Sequence, residues 1–298
     1  MMLLKYENRN DSYICINDIL LKEFHISTHL RTKLIKNKCI YLNNNICDTR
    51  DKISIGDTIT VNLNSEEDNS NIVPTPMNLN IIYEDDWFLI LHKPAGIAIH
   101  PSMLHFDTSL SNGVRYYFDS IGLKKKIRPV NRLDLNTSGL VIFAKCEYIQ
   151  ECLSKQMENK TFKKEYLCIV SGKFEDKIGT INLPIARKKN SIIERCVDDN
   201  GQKSITHFEV LQEFNDYSLV KCTLETGRTH QIRVHMSYIG HPLFGDTLYG
   251  KSSSLIDRQA LHCSKLEFIH PISKQNLTFD CPLENDLQIL ANHLFSDT

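Results

Sequence analysis

The amino-acid sequence predicts an α+β protein, a larger C-terminal domain around a mainly antiparallel mixed sheet preceded by a small N-terminal α+β domain. Three observations predict it. Beyond about Leu79, short strand-like runs outnumber helical ones and do not alternate with them, as they would in a doubly wound parallel sheet. The stretch Ser65 to Asn78 (SEEDNSNIVPTPMN) is acidic, polar and proline-bearing, as linkers between separately folded units are. Finally, 298 residues, 41% of them hydrophobic, can bury one sizeable core and a satellite. The expected division is a first domain over 1–64, a linker over 65–78 and a second domain over 79–298.

In the N-terminal part, Ile16, Ile19, Leu20 and Phe24 keep helical spacing after a capping Asn17. Leu30, Leu34 and Ile35 repeat it after Ser27-Thr28. The period then changes to two. Cys39 to Leu42 reads as a strand, Asn43 to Asn45 as a turn, and Ile53 to Val61 as an alternating strand with a Gly56-Asp57 turn. In the C-terminal part the predicted strands are Asn80 to Tyr83, Phe88 to His92, Leu140 to Ala144, Glu165 to Ser171, His207 to Leu211 and Tyr217 to Glu225. Tyr148 to Glu158 is expected to be a surface helix.

Composition narrows the class. No apolar run is long enough to span a membrane, and the opening MMLLKYENRNDSYICIND turns polar too early for a signal peptide, so a cytoplasmic protein is expected. Ten scattered cysteines show no paired spacing, which favours reduced thiols over a disulfide framework. There is no zinc-type Cys/His spacing, no glycine-rich phosphate loop, no G-x-S-x-G elbow and no dinucleotide fingerprint; no metal and no cofactor are expected. The net charge of −1 does not advertise a nucleic-acid protein, yet basic residues gather at Lys33 to Lys38, Lys124 to Arg132 and Arg187 to Lys189.

Chemistry must then come from side chains, and three stretches supply it. In RPVNRLDLNTSGLVIFAK (Arg128 to Lys145), Arg132 and Asp134 precede a polar turn and a fully apolar strand. Taken alone, Asp134 is as well read as a turn residue paired with Arg132. In LETGRTHQIRVHMSYIGHPLFGDTLYG (Leu224 to Gly250), Thr229 is placed to cap a helix with an inward face of Ile232, Met236 and Ile239, stopped by Gly240 and Pro242. Arg233 stands beside that face, where a solvated arginine is the plain alternative. In FKKEYLCIVSGK (Phe162 to Lys173), alternation puts Tyr166, Cys168 and Val170 on one face, ordinarily a packing face.

Together with YEDDWFLILHKPAGIAIHPS (Tyr83 to Ser102) and RQALHCSKLEFIHP (Arg258 to Pro271), these stretches resemble, in order and spacing, the motifs of the RluA-type pseudouridine synthases. The resemblance covers the whole region after the linker. It implies the pseudouridine synthase fold and isomerisation of uridine to pseudouridine in structured RNA. The first domain resembles the small ribosomal-protein-type RNA-binding domain that often precedes this fold. Residue by residue, the resemblance implies that Asp134 is the essential aspartate, Tyr166 the tyrosine that packs on the target base and Arg233 the basic partner of the aspartate. One position departs from the pattern: Asn131 stands where the family has histidine before the arginine, which touches local packing and not the reacting group.

The reaction breaks the bond from ribose to the glycosidic nitrogen, turns the uracil and joins the sugar to carbon five, with no net redox change or hydrolysis. A carboxylate can open it by attacking the anomeric carbon or by removing the neighbouring sugar proton. The sequence leaves both routes open. The target base must be extruded, at a cost of a few kcal/mol. Arg132 is expected to enter the gap, with Lys124, Lys125, Lys126 and Arg128 holding phosphates and Arg31, Lys33, Lys36 and Lys38 of the first domain adding to them. The expected partner is RNA, ribosomal large-subunit RNA before transfer RNA, acted on by a monomer without a membrane. Two rival classes are a non-catalytic RNA-binding or ribosome-assembly protein on the same fold and a glycosidase that releases free uracil.

Overall fold

The computed structural model describes residues 2–295. The chain opens with β1 (Leu3–Glu7), α1 (Ile16–Lys22), α2 (Thr28–Lys36), β2 (Ile40–Leu42), β3 (Asn45–Ile46) and β4 (Thr58–Asn62), which form an antiparallel sheet in the order β1-β4-β2-β3. Ser27 caps α2 by accepting the Leu30 N–H at 3.1 Å, and Leu30 and Leu34 face inward. The strand β1 was not legible from its polar surroundings. It exists because Met2 and Leu4 are buried and because it pairs with β4 from Leu3↔Asn62 to Glu7↔Thr58. The alternating run from Ile53 becomes a strand only at Thr58, since the Asp57 carboxylate takes the Ser54 N–H at 2.7 Å and Gly56 turns with φ +88°.

The second part contains β5 (Asn80–Glu84), β6 (Phe88–Lys93), α3 (Leu110–Ser120), β7 (Arg128–Pro129), β8 (Ser138–Ala144), α4 (Glu147–Glu158), β9 (Lys163–Ser171) and β10 (Ile178–Asn182). It continues with β11 (Ile185–Arg187), β12 (Arg195–Val197), β13 (Ile205–Phe214), β14 (Tyr217–Leu224), α5 (Gln231–Tyr238), β15 (Leu261–Ile269), β16 (Asn276–Asp280) and α6 (Asn285–Phe295). One sheet runs β10-β13-β14-β9-β15-β8-β6-β5, with β16 beside β15 and β7 beside β8; β11 and β12 form a separate hairpin. Pairing in the large sheet is antiparallel except where β15 meets β8 at His262↔Ser138 and Cys263↔Gly139. That junction requires glycine: Gly139 has φ +117°, and a Cβ there would lie 2.3 Å from the Cys263 carbonyl oxygen. All seven residues of β8 are buried, as a strand covered on both faces must be.

The stretch 65–78 lies against the second part instead of hanging free. Asn69 is buried, and its amide bonds the Lys125 carbonyl and the Ile127 N–H; Ile72 is buried, and the Thr75 N–H reaches the Asn112 carbonyl. Buried apolar side chains of the two parts form one contiguous cluster. Its polar margin is an ion-pair network. Arg128 holds Glu67 through two 2.7 Å bonds, and Lys33 bridges Glu67 at 3.1 Å and Glu147 at 2.7 Å. Burial would raise the Glu67 carboxyl, but Arg128 and Lys33 together bring it down to about 2.

Three residues expected on an RNA-facing surface are therefore turned into this junction. Lys33 and Arg128 are neutralised by Glu67 and Glu147, and Lys125 is buried with its ammonium on the Leu63 and Ser65 carbonyls. Removing one partner of a buried pair costs about 3–5 kcal/mol. Glu67→Gln is expected to lower the melting temperature by several degrees at neutral pH. Because the folded Glu67 pKa lies below its ordinary value, its stabilisation is complete above pH about 4.5 and fades as pH falls towards about 2. Melting curves of the two proteins should accordingly converge over that interval; a constant gap would remove Glu67 from the role.

Candidate active site

The turn that enters β8 lines a cleft of about 600 Å³ through Asp134 and Thr137. The Thr137 N–H closes the turn on the Asp134 carbonyl at 3.1 Å. The three residues that follow are held by three side chains. Lys93, with no exposed surface, donates to Leu135 O at 2.9 Å as well as to Pro94 O and Ile97 O at 2.8 Å. Arg258, clamped by Asp286 and Glu284 at the start of α6, donates to Asn136 O at 3.1 Å, and the Gln259 amide reaches the Thr137 hydroxyl. Burial lowers Lys93 to about 7, against the pull of Glu284 and Asp134. A loop so fixed holds its carboxylate without help from substrate.

Asn131 explains its own departure from the histidine pattern. Its side chain donates to Leu140 O at 3.0 Å and accepts the Ile142 N–H at 2.9 Å, so the carboxamide pairs with β8 as a strand residue would. Both groups a carboxamide offers are used there.

Arg233 comes from α5. The helix does not start on Thr229 as expected: His230 occupies the cap position with φ +60°, no side chain caps the helix, and the Gln231 side chain instead ties the preceding turn to β13. The Gln231 amide accepts from Arg228 N and Thr226 Oγ1 and donates to Ile205 O and Thr206 Oγ1. The predicted left-handed stop at Gly240 is present, with φ +89°. One turn in, Arg233 grips Asp246 through bonds of 2.7 and 2.8 Å, and its remaining nitrogen stands 3.4 Å from Asp134 Oδ2.

Asp246 is the residue that sequence reasoning missed. It is fully buried and also accepts the Leu248 and Tyr249 N–H groups; burial works to raise its carboxyl, but Arg233 and these donors hold it below the usual range. Nothing local in HPLFGDTLYG distinguishes the Gly245-Asp246 pair as holding an arginine's partner. The arginine in turn lies 5.1 Å from the centre of the Tyr249 ring, whose hydroxyl bonds His230 Nδ1 at 2.8 Å. His230 Nε2 is 3.9 Å from Asp134, and burial lowers its pKa.

Tyr166 lies inward on β9 and lines the same cleft as Asp134 and Arg233, so the structure brings the three expected residues together. Burial pushes its phenol up, with the Cys263 thiol and the Asp134 charge adding to the effect. Arg132 is exposed at the rim, where His100 feels its charge. The other expected RNA contacts are dispersed. Lys36, Lys38 and Lys126 are exposed, Lys124 pairs with Glu66 at 3.2 Å, and Arg31 donates to Asn17 at 2.9 Å. Lys160, Lys164, Lys203 and Arg228 line the cleft and were not singled out beforehand. Among the described residues no group of three His, Cys, Asp or Glu side chains could hold a metal ion.

Asp246→Asn keeps the shape but removes the counter-charge from a buried arginine. The expected result is a kcat at least about tenfold lower and a stability loss of about 3–5 kcal/mol. Turnover and thermal melts check it, with a loss confined to KM counting against a positioning role.

Residues 87–238 match the family model described as RNA pseudouridylate synthase. The chain is 41% identical over 235 residues to an uncharacterized RNA pseudouridine synthase of Bacillus subtilis, YjbO, covering 79% of this chain and 83% of that protein. It is 36% identical over 265 residues to ribosomal large subunit pseudouridine synthase D of Nitrosomonas europaea, covering 86% and 77% respectively. Among solved structures, human RNA pseudouridylate synthase domain containing 1 superposes with a TM-score of 0.57 at 26% identity, over 74% of this chain and 96% of that one.

Proposed function

This chain belongs to the RluA-type RNA pseudouridylate synthases and is an RNA pseudouridine synthase, and from that premise we propose that it modifies uridine in large-subunit ribosomal RNA through Asp134, Tyr166 and Arg233. The observation that carries the residue assignment is the 3.4 Å approach of Arg233 to Asp134 inside a cleft that Tyr166 also lines. A carboxylate can attack the anomeric carbon or take the neighbouring sugar proton, and the Arg233 guanidinium beside it fixes its orientation. Because Asp246 takes two of the arginine's nitrogens, Asp134 keeps a free oxygen for the sugar.

Tyr166 presents a flat ring to the uracil while the base detaches and turns, which a stacking surface permits without fixing the ring's rotation. Its hydroxyl is the candidate acceptor or relay for the proton leaving carbon five. Arg132 at the rim is placed to enter the gap left by the extruded base. The ribosomal substrate rests on the relatives named for that RNA. Transfer RNA is the second substrate class, and the reading puts the enzyme in the cytoplasm.

Mapping pseudouridines by chemical labelling in cells with and without the gene identifies the RNA; sites lost only from transfer RNA would overturn the ribosomal assignment. With the substrate so identified, Asp134→Asn is expected to abolish turnover while fold and RNA binding remain, because the amide retains shape and loses nucleophilicity and basicity. Retention of more than a small fraction of turnover would remove Asp134 from its role. Tyr166→Phe should keep base stacking and stay more active than Tyr166→Ala, and normal turnover by both would reduce Tyr166 to packing.

A further inference from the structure

Lys164 stands two residues before Tyr166 on β9, so both side chains point the same way, about 7 Å apart along the strand. It lines the catalytic cleft, yet only 8% of it is exposed, and it has no hydrogen-bond or ion-pair partner among the described residues. Its ammonium lies over Gly227, where a side chain would begin 3.4 Å away. Every other cation so deeply placed here has acceptors: Lys93 has three carbonyls, Lys125 two, Arg128 has Glu67 and Arg233 has Asp246. Burial lowers the Lys164 pKa, as it must for a desolvated ammonium left alone. A cation held this way inside a substrate cleft is incomplete without an anion.

We infer that Lys164 is a binding residue for a backbone phosphate of the RNA, the one flanking the uridine whose base rests on Tyr166. This rests on the reading of the cleft as the RNA site. A uracil carbonyl would return one hydrogen bond and no charge, whereas a phosphodiester oxygen supplies both. The surroundings agree. Lys160, Lys203 and Arg228 line the same cleft; of its carboxylates Glu225 is paired with Lys160 and His207 and Asp134 with Arg233, which leaves Glu158 as the opposing charge.

The test uses the full-length enzyme and unmodified total RNA from cells lacking the gene, which holds the substrate whichever RNA it is. Lys164→Met keeps length and removes charge. Loss of one charge-assisted bond should raise KM about tenfold or more, with the larger part of the loss in KM, and Lys164→Arg should recover part of it. The slope of log binding constant against log salt should flatten by about 0.7–0.9. The melting temperature should not fall, since no native partner is lost. Unchanged KM and salt slope would overturn the inference, as would a loss confined to kcat, which would put the amine on the base. A fall in melting temperature would show a structural partner and overturn it too. If the wild type formed no pseudouridine in this RNA, the functional reading would fail separately, and the salt slopes of binding would still decide for or against Lys164.

Discussion

Arg233 stands between two carboxylates, and its planar fork closes on only one of them. Asp246 is gripped through two short bonds and lies wholly buried, while Asp134 is met by the remaining nitrogen at a longer 3.4 Å. The asymmetry separates support from chemistry. A guanidinium held by both carboxylates equally would lock Asp134 into a closed pair with no oxygen left for a sugar. Held by Asp246, it is a fixed positive charge beside a carboxylate that remains partly open to the cleft.

The same economy governs the loop that carries Asp134. Its carbonyls at Leu135 and Asn136 are taken by Lys93 and Arg258, from the end of β6 and from just before β15. The rest of the loop meets β8, whose parallel contact with β15 demands glycine at 139. Buried cations therefore act as cross-links between segments far apart in sequence, each satisfied by carbonyls or acidic side chains. Lys164 differs in having none, and that contrast gives it meaning.

The N-terminal part follows the same logic at larger scale. Lys33, Glu67, Arg128 and Glu147 come from α2, the connecting stretch, β7 and α4, and they join the two parts by charge around a shared apolar cluster. Basic residues grouped along the sequence thus divide into two populations in space. One is consumed in the junction, and the other remains on the surface, at Lys36, Lys38 and Lys126. Such a junction sets where the small domain sits relative to the cleft, which a flexible tether would leave undefined.

The sequence by itself determined the elements whose periodicity is local. The continuous apolar run of β6, the alternating runs of β9 and β14, the helix α4 and the left-handed stop at Gly240 follow from side-chain spacing and the steric freedom of glycine. The resemblance carried by the motifs also singled out Asp134, Tyr166 and Arg233, which the structure brings to one cleft. Only the tertiary structure decided the strand β1, whose pairing partner β4 lies over fifty residues away, and the start of α5, where the cap position falls on His230 and Gln231 bonds to β13. It alone decided the roles of Lys33, Lys125 and Arg128, because a basic residue has the same local signature whether it meets a phosphate or Glu67. Asp246 is the clearest case. A Gly-Asp turn looks the same whether its carboxylate faces water or an arginine thirteen residues earlier, and it is burial that makes either charge costly without the other, which no local pattern encodes.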